Sequence, residues 1–158
     1  MRNAQFISLL LIAQAVISCS DTGPQGPPGA SDKQTRVYFL PQYVSTLDSA
    51  GYLGFGSPKV PKFDKSYFVN VDSIILVCDV QTGGNNARCL VDLYNGTDSV
   101  FIATGLIDKE CVNACSAESG NLYSILPNKE VDLYVRIRTS VHNTNVGIIN
   151  PQLVMYRR

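Results

Sequence analysis

SIILVCDV (Ser73–Val80), QTGGNN (Gln81–Asn86) and ARCLVDLY (Ala87–Tyr94) together decide how this chain is read. The two flanking runs are dense in β-branched and apolar residues, and each sends every second side chain to one face. Gly83-Gly84 between them suits the two positive-φ positions of a type I′ turn, so the stretch predicts a β-hairpin. In that register Cys78 faces Cys89, Leu76 faces Val91 and Ile74 faces Leu93 on one face, while Asp79 meets Arg88 on the other. A slip of one residue would destroy all four pairings. One geometric objection stands: this register makes Cys78 and Cys89 a hydrogen-bonded pair, where the Cβ atoms are less well placed for a bridge.

Further strands flank this pair. Thr35–Leu40 reads as a first strand, and 41–62, with three Gly and two Pro beyond Pro41, as a long loop with one short extended piece. Lys65–Val71 alternates like a strand. Asn95-Gly96-Thr97-Asp98 is a turn signal, and Val100–Ile107 returns from it. Residues 108–128 read as a loop that carries Cys111-x-x-x-Cys115. In EVDLYVRIRT (Glu130–Thr139), Val131, Leu133, Val135 and Ile137 alternate with Asp132, Tyr134, Arg136 and Arg138. Val146–Tyr156 closes the set, with Pro151 implying an edge position or a bulge. Seven or eight strands with regular turns and no convincing helix predict an all-β antiparallel sandwich, most simply a jelly roll. The pattern over Val77–Thr104, Leu126–Arg136 and Gln152–Val154 is similar to jelly-roll modules of the galactose-binding or tumour-necrosis-factor type, a likeness that carries no functional residue across.

The N-terminal residues set the compartment. Met1-Arg2 is a small basic n-region and Phe6–Ile17 an apolar run of about a dozen residues, too short to span a bilayer of about 30 Å as a helix. Val16-Ile17-Ser18-Cys19 then has the form of a bacterial lipobox, with Cys19 as the residue that is lipidated and becomes the new N-terminus. The alternative is an ordinary secretory signal, to whose preference for small residues Val16 and Ser18 conform only in part. Gly23-Pro24-Gln25, Gly26-Pro27-Pro28 and Gly29-Ala30-Ser31 follow as three Gly-X-Y triplets. Three are too few to hold a triple helix alone, so they read as a polyproline II spacer or as a stub that aligns a trimer.

With these residues the chain resembles the collagen-like lipoproteins of Gram-negative bacteria, especially Bacteroidetes-like ones. That resemblance implies a diacylglycerol on Cys19, a membrane partner reached through that anchor, and a C-terminal β domain. Ser20, rather than Asp, implies the outer membrane, facing the periplasm or the surface. The expected organisation is a signal over 1–18, a lipidated spacer over 19–32 and one β domain over 33–158.

Composition agrees with an exported β domain. Without the leader, twelve basic residues meet thirteen acidic ones, and no basic block exists to suggest a nucleic-acid partner. With Cys19 given to lipid, Cys78, Cys89, Cys111 and Cys115 remain as an even set for an oxidising compartment. The hairpin register pairs Cys78 with Cys89, and elimination pairs Cys111 with Cys115. A metal site built from these four is the weaker reading, and Asp92, Asn95, Asp98 and Asp108 match no calcium-loop spacing. His142 is the single histidine and lies in a polar turn. No nucleophile elbow, phosphate loop or metal motif appears, so no catalytic residue, metal or cofactor is assigned.

The leading expectation is therefore a non-enzymatic interaction or structural module, displayed on the outer membrane. A carbohydrate-binding domain is the first rival and a lipid-anchored hydrolase the second. Tyr94 and Tyr134 are the candidate sugar-binding aromatics, because both alternate to the face opposite the apolar one; Tyr43 and Tyr52 lie in the long loop. A monomer is favoured over a trimer of heads meeting through Tyr38, Leu40 and Met155-Tyr156.

Overall fold

Alternation is the physical origin of the core. β4 (Val71–Thr82) buries Ile74, Leu76, Cys78 and Val80 on one side, and β5 (Cys89–Asn95) buries Cys89, Val91 and Leu93. β8 (Val131–Thr139) does the same with Val131, Leu133, Val135 and Ile137, as its sequence predicts. β9 (Val146–Arg157) adds Ile148, Leu153 and Met155. The remaining strands are β1 (Gln34–Tyr38), β2 (Tyr43–Thr46), β3 (Lys59–Phe63), β6 (Val100–Lys109) and β7 (Cys115–Glu118). The structure, a computed structural model, describes residues 34–51, 53, 56–84 and 86–157. The expected signal, Cys19 and the Gly-X-Y spacer lie outside the described residues, as does Tyr52.

Among the described residues, nine antiparallel strands form two sheets, ordered β1-β9-β4-β7, with β2 also paired to β9, and β3-β8-β5-β6. The pairings nest: β5 with β6, β4 with β7, β3 with β8, and β1 and β2 with β9. One long antiparallel ribbon is thus rolled up until β9 meets β4 and β8 meets β5. That is a jelly roll, with one buried cluster between its sheets.

The roll overturns the expected hairpin. β4 and β5 belong to different sheets, and the Gly83-Gly84 segment carries the chain from one to the other. Neither glycine takes a positive φ. Gly83 instead donates its N–H to the Asn145 carbonyl at 2.7 Å, which ties the crossing to the β8–β9 turn. The apolar residues that seemed to pair side by side are two inward stripes that face a common core from opposite sheets. Arg88 accordingly pairs with Asp108 on β6 at 2.6 Å, not with Asp79.

The cysteines follow from this correction. Cys111 and Cys115 are joined by a disulfide, as expected, but Cys78 and Cys89 are buried free thiols, because no shared hairpin sets them together. Burial pushes both thiols up to about 12, Cys78 further aided by the neighbouring Cys89 and Asp79. Non-reducing peptide mapping is expected to return a Cys111–Cys115 link, with Cys78 and Cys89 alkylated only after unfolding. A Cys78–Cys89 link would show that β4 and β5 approach more closely than this packing.

Other expectations are adjusted locally. Lys65–Val71 is not a strand: Asp64 accepts the Ser66 N–H at 2.8 Å and caps a 3₁₀ turn over Lys65–Tyr67. Lys65 then turns inward and donates to the carbonyls of Tyr123 at 2.7 Å and Leu126 at 2.6 Å, pinning the loop before β8. The long loop holds β2 and β3 instead of one extended piece, so Tyr43 sits on a strand, and the Cys111 loop contains β7. Pro151 lies in a central strand, not an edge. Val77 pairs with Gln152 and Asp79 with Ile149, so Asn150 and Pro151 oppose Cys78 alone in a bulge. There β9 exchanges β1 for β2 as its outer neighbour. Of the expected trimer contacts, Tyr38 and Leu40 are exposed but Met155 is fully buried, so that patch does not exist as drawn.

Candidate functional site

The outward face of the β3-β8-β5-β6 sheet collects the chemistry. Cross-strand register places Lys59 beside Tyr134, Tyr134 beside Tyr94, and Tyr94 beside Phe101. One residue from each of four strands therefore forms a row across the sheet. Tyr94 meets Phe101 edge-on at 5.0 Å between centroids and Tyr134 at 6.5 Å. Lys59 Nζ stands 5.8 Å from the Tyr134 ring centre. Contacts of this kind hold the rings in defined orientations and contribute roughly 0.5–1.5 kcal/mol each.

A cleft of about 570 Å³ opens over this row. Tyr94, Tyr134, Lys59 and Gly96 line it, with Leu40, Pro41, Leu53, Gly56 and Ser57 as the remaining described lining. Its size falls within the range of small-molecule sites. Gly96 is required there for a steric reason: a Cβ on it would overlap the Tyr134 ring. Both tyrosines are partly buried, whereas Phe101 is 41% exposed at the end of the row.

Behind the aromatic row lies a second, ionic one. Asp92 on β5 points to the same outward face yet has no exposed side-chain surface. Arg136 reaches it at 2.7 Å and Arg138 at 3.1 Å, and the Gly105 N–H donates to it at 2.6 Å. Burial alone would raise the Asp92 carboxyl, but the donors from Arg138, Gly105 and Arg136 outweigh it and hold it below its ordinary range. Arg136 also places its guanidinium 4.1 Å from the Phe101 ring centre and reaches the Ala50 carbonyl at 3.5 Å. The ionic row therefore positions both the aromatic row and the loop that walls the cleft. Gly51, at φ 78°, lets that loop lie against the Arg136 side chain.

The sequence-derived candidates separate under this geometry. Tyr94 and Tyr134 are brought together in one cleft. Asp92, Asn95, Asp98 and Asp108 are not: Asp92 holds two arginines, Asp98 is bound by Asn95 and Lys129, and Asp108 by Arg88. Among the described residues no three His, Cys, Asp or Glu side chains gather as a metal site. His142 is exposed in the β8–β9 turn, away from the cleft lining. Lys59, Phe101 and the Leu40-Pro41 wall were missed, because β3 and β6 were read only as parts of a loop and a returning strand.

No family model matches this chain, and none of the curated proteins does. Solved structures resemble it at low identity. The CBM22-1 xylan-binding domain of Paenibacillus barcinonensis Xyn10C is 9% identical, with 83% of this chain and 90% of that one covered and a TM-score of 0.38. A structure of infectious bursal disease virus Gx strain is 14% identical over 79% of this chain and 36% of its own, with a TM-score of 0.37. A family two carbohydrate esterase from Cellvibrio japonicus is 12% identical over 79% and 34%, with a TM-score of 0.30. The chain thus spans about a third of the latter two. None of these likenesses bears on what this chain binds.

Proposed function

We propose that the protein is a lipid-anchored, extracytoplasmic binding module whose Tyr94–Tyr134 cleft holds a saccharide. The observation that carries the reading is the run Lys59–Tyr134–Tyr94 lining the cleft, which Phe101 continues beyond the described lining. Sugar rings have apolar C–H faces and a rim of hydroxyls. Fixed aromatic rings supply dispersion contacts to the former, and tyrosine hydroxyls with a lysine ammonium supply hydrogen bonds to the latter. The described lining offers binding groups of this kind and no carboxylate, imidazole or thiol, which favours a binder over a hydrolase. A glycan array probed with residues 20–158 tests this: retention of a set of glycans that is lost in Tyr94→Ala/Tyr134→Ala supports it, and a blank array or retention unaffected by the variant overturns it.

The anchoring half of the proposal rests on the leader and on the lipobox form of Val16–Cys19. Two or three acyl chains at about 0.8 kcal/mol per buried CH₂ hold such a domain on a membrane durably. Cys19→Ser is expected to move the protein from the membrane to the soluble fraction or leave it unprocessed. Unchanged membrane partitioning with no lipid mass on the mature N-terminus would contradict it.

A further inference from the structure

We propose that the saccharide this cleft takes is anionic, carrying a carboxylate or sulfate, and that Lys59 is the cation that pairs with it. This rests on the saccharide reading of the cleft and adds the substrate class. Lys59 is the one charged side chain in the described lining. Among the described residues no carboxylate lies within ion-pair distance of it, whereas Arg88, Lys129, Arg136 and Arg138 around the same sheet all have acidic partners. Its ammonium lies over the Tyr134 ring at 5.8 Å, a distance that leaves it available to a ligand lying on that ring. A sugar seated against Tyr134 would therefore bring its exocyclic substituent to Lys59.

The surroundings reinforce the sign. Two arginines share the single Asp92 carboxylate directly behind the row, leaving a surplus of one positive charge. The nearest outward carboxylate along β8, Asp132, is not part of the described lining, and one of its oxygens accepts the Lys62 N–H at 3.0 Å. An anionic sugar thus meets a cation without an acidic partner, a cationic background and no carboxylate in the described lining, whereas a neutral sugar would gain only a hydrogen bond from Lys59.

The test is titration calorimetry of residues 20–158 with trisaccharides of galacturonate, glucuronate and mannuronate, their methyl esters, and a sulfated disaccharide. The methyl ester keeps the ring and removes only the charge. At least one acidic probe is expected to bind about tenfold more tightly than its neutral counterpart at low salt, with the gap closing as salt is raised. Preference for the uronates or for the sulfated probe identifies the anion. Lys59→Gln is expected to weaken the acidic probe roughly 5- to 10-fold and the ester much less, closing the gap between them, while Lys59→Arg retains the preference. Acid and ester binding equally, both lost in Tyr94→Ala/Tyr134→Ala, would overturn the charge assignment and leave the saccharide reading standing. Binding by no probe would overturn the anionic proposal, and the glycan array then decides the saccharide reading separately. A circular dichroism melt of Lys59→Gln confirms that its fold is intact.

Discussion

Asp92→Ala is expected to destabilise the protein by about 2–4 kcal/mol, lowering its melting temperature by roughly 10 °C or more. The substitution leaves two guanidiniums and the Gly105 N–H without their shared acceptor on a covered part of the sheet. The loss falls somewhat short of that for a fully enclosed pair, because Arg136 and Arg138 keep 17% and 27% of their side-chain surface in water. Asp92→Asn, which keeps an acceptor but not the charge, should fall between. The pH dependence follows in sign. A carboxyl held below its ordinary value when folded stabilises above the unfolded value of about 3.9, and that contribution disappears as pH falls through the lower folded value. Wild type should therefore lose stability below about pH 4 more steeply than Asp92→Ala. Equal melting curves for the two proteins at pH 7 would remove the ionic row from the account.

Leu76→Ala is the second large effect, at about 2–5 kcal/mol. Leu76 is fully buried on β4, which lies between β9 and β7, so the rolled sheet cannot collapse easily around the cavity. Its N–H and C=O are also fastened, to the Ser119 hydroxyl at 2.9 Å and the Ser119 N–H at 2.9 Å. Val77→Ala, next along the strand on the outward face, should cost well under half as much. Equal losses in chemical denaturation at the two positions would mean that the inward stripe of β4 is misassigned.

The same stripes explain what was legible beforehand. β8 could be read residue by residue, because strict alternation and clean ends at Val131 and Thr139 leave one solution. β4 and β5 were located correctly and joined wrongly. An inward stripe on each of two consecutive strands looks the same whether they pair in one sheet or face each other across a core. Only the partners β9 and β7 of β4 and β8 of β5 decide, and all three come later in the chain than the two strands they separate. Lys65–Tyr67 was lost to the Asp64 cap, a side chain-to-backbone bond that alternation does not register. At the site, Tyr94 and Tyr134 were accessible from strand phase alone. Lys59 and Phe101 were not, since their membership of the row depends on β3 and β6 lying at opposite edges of one sheet.

The central claim is that the cleft over Tyr94 and Tyr134 is where the protein binds its ligand. Amide chemical-shift mapping of residues 20–158, titrated with a saccharide retained on the array, tests it most directly. The account predicts shifts concentrated at Lys59, Tyr94, Gly96 and Tyr134 and in the Leu40 wall, all abolished in Tyr94→Ala/Tyr134→Ala. Shifts concentrated instead in the groove between β6 and β7, around Gly105 and Ser116–Glu118, would contradict it.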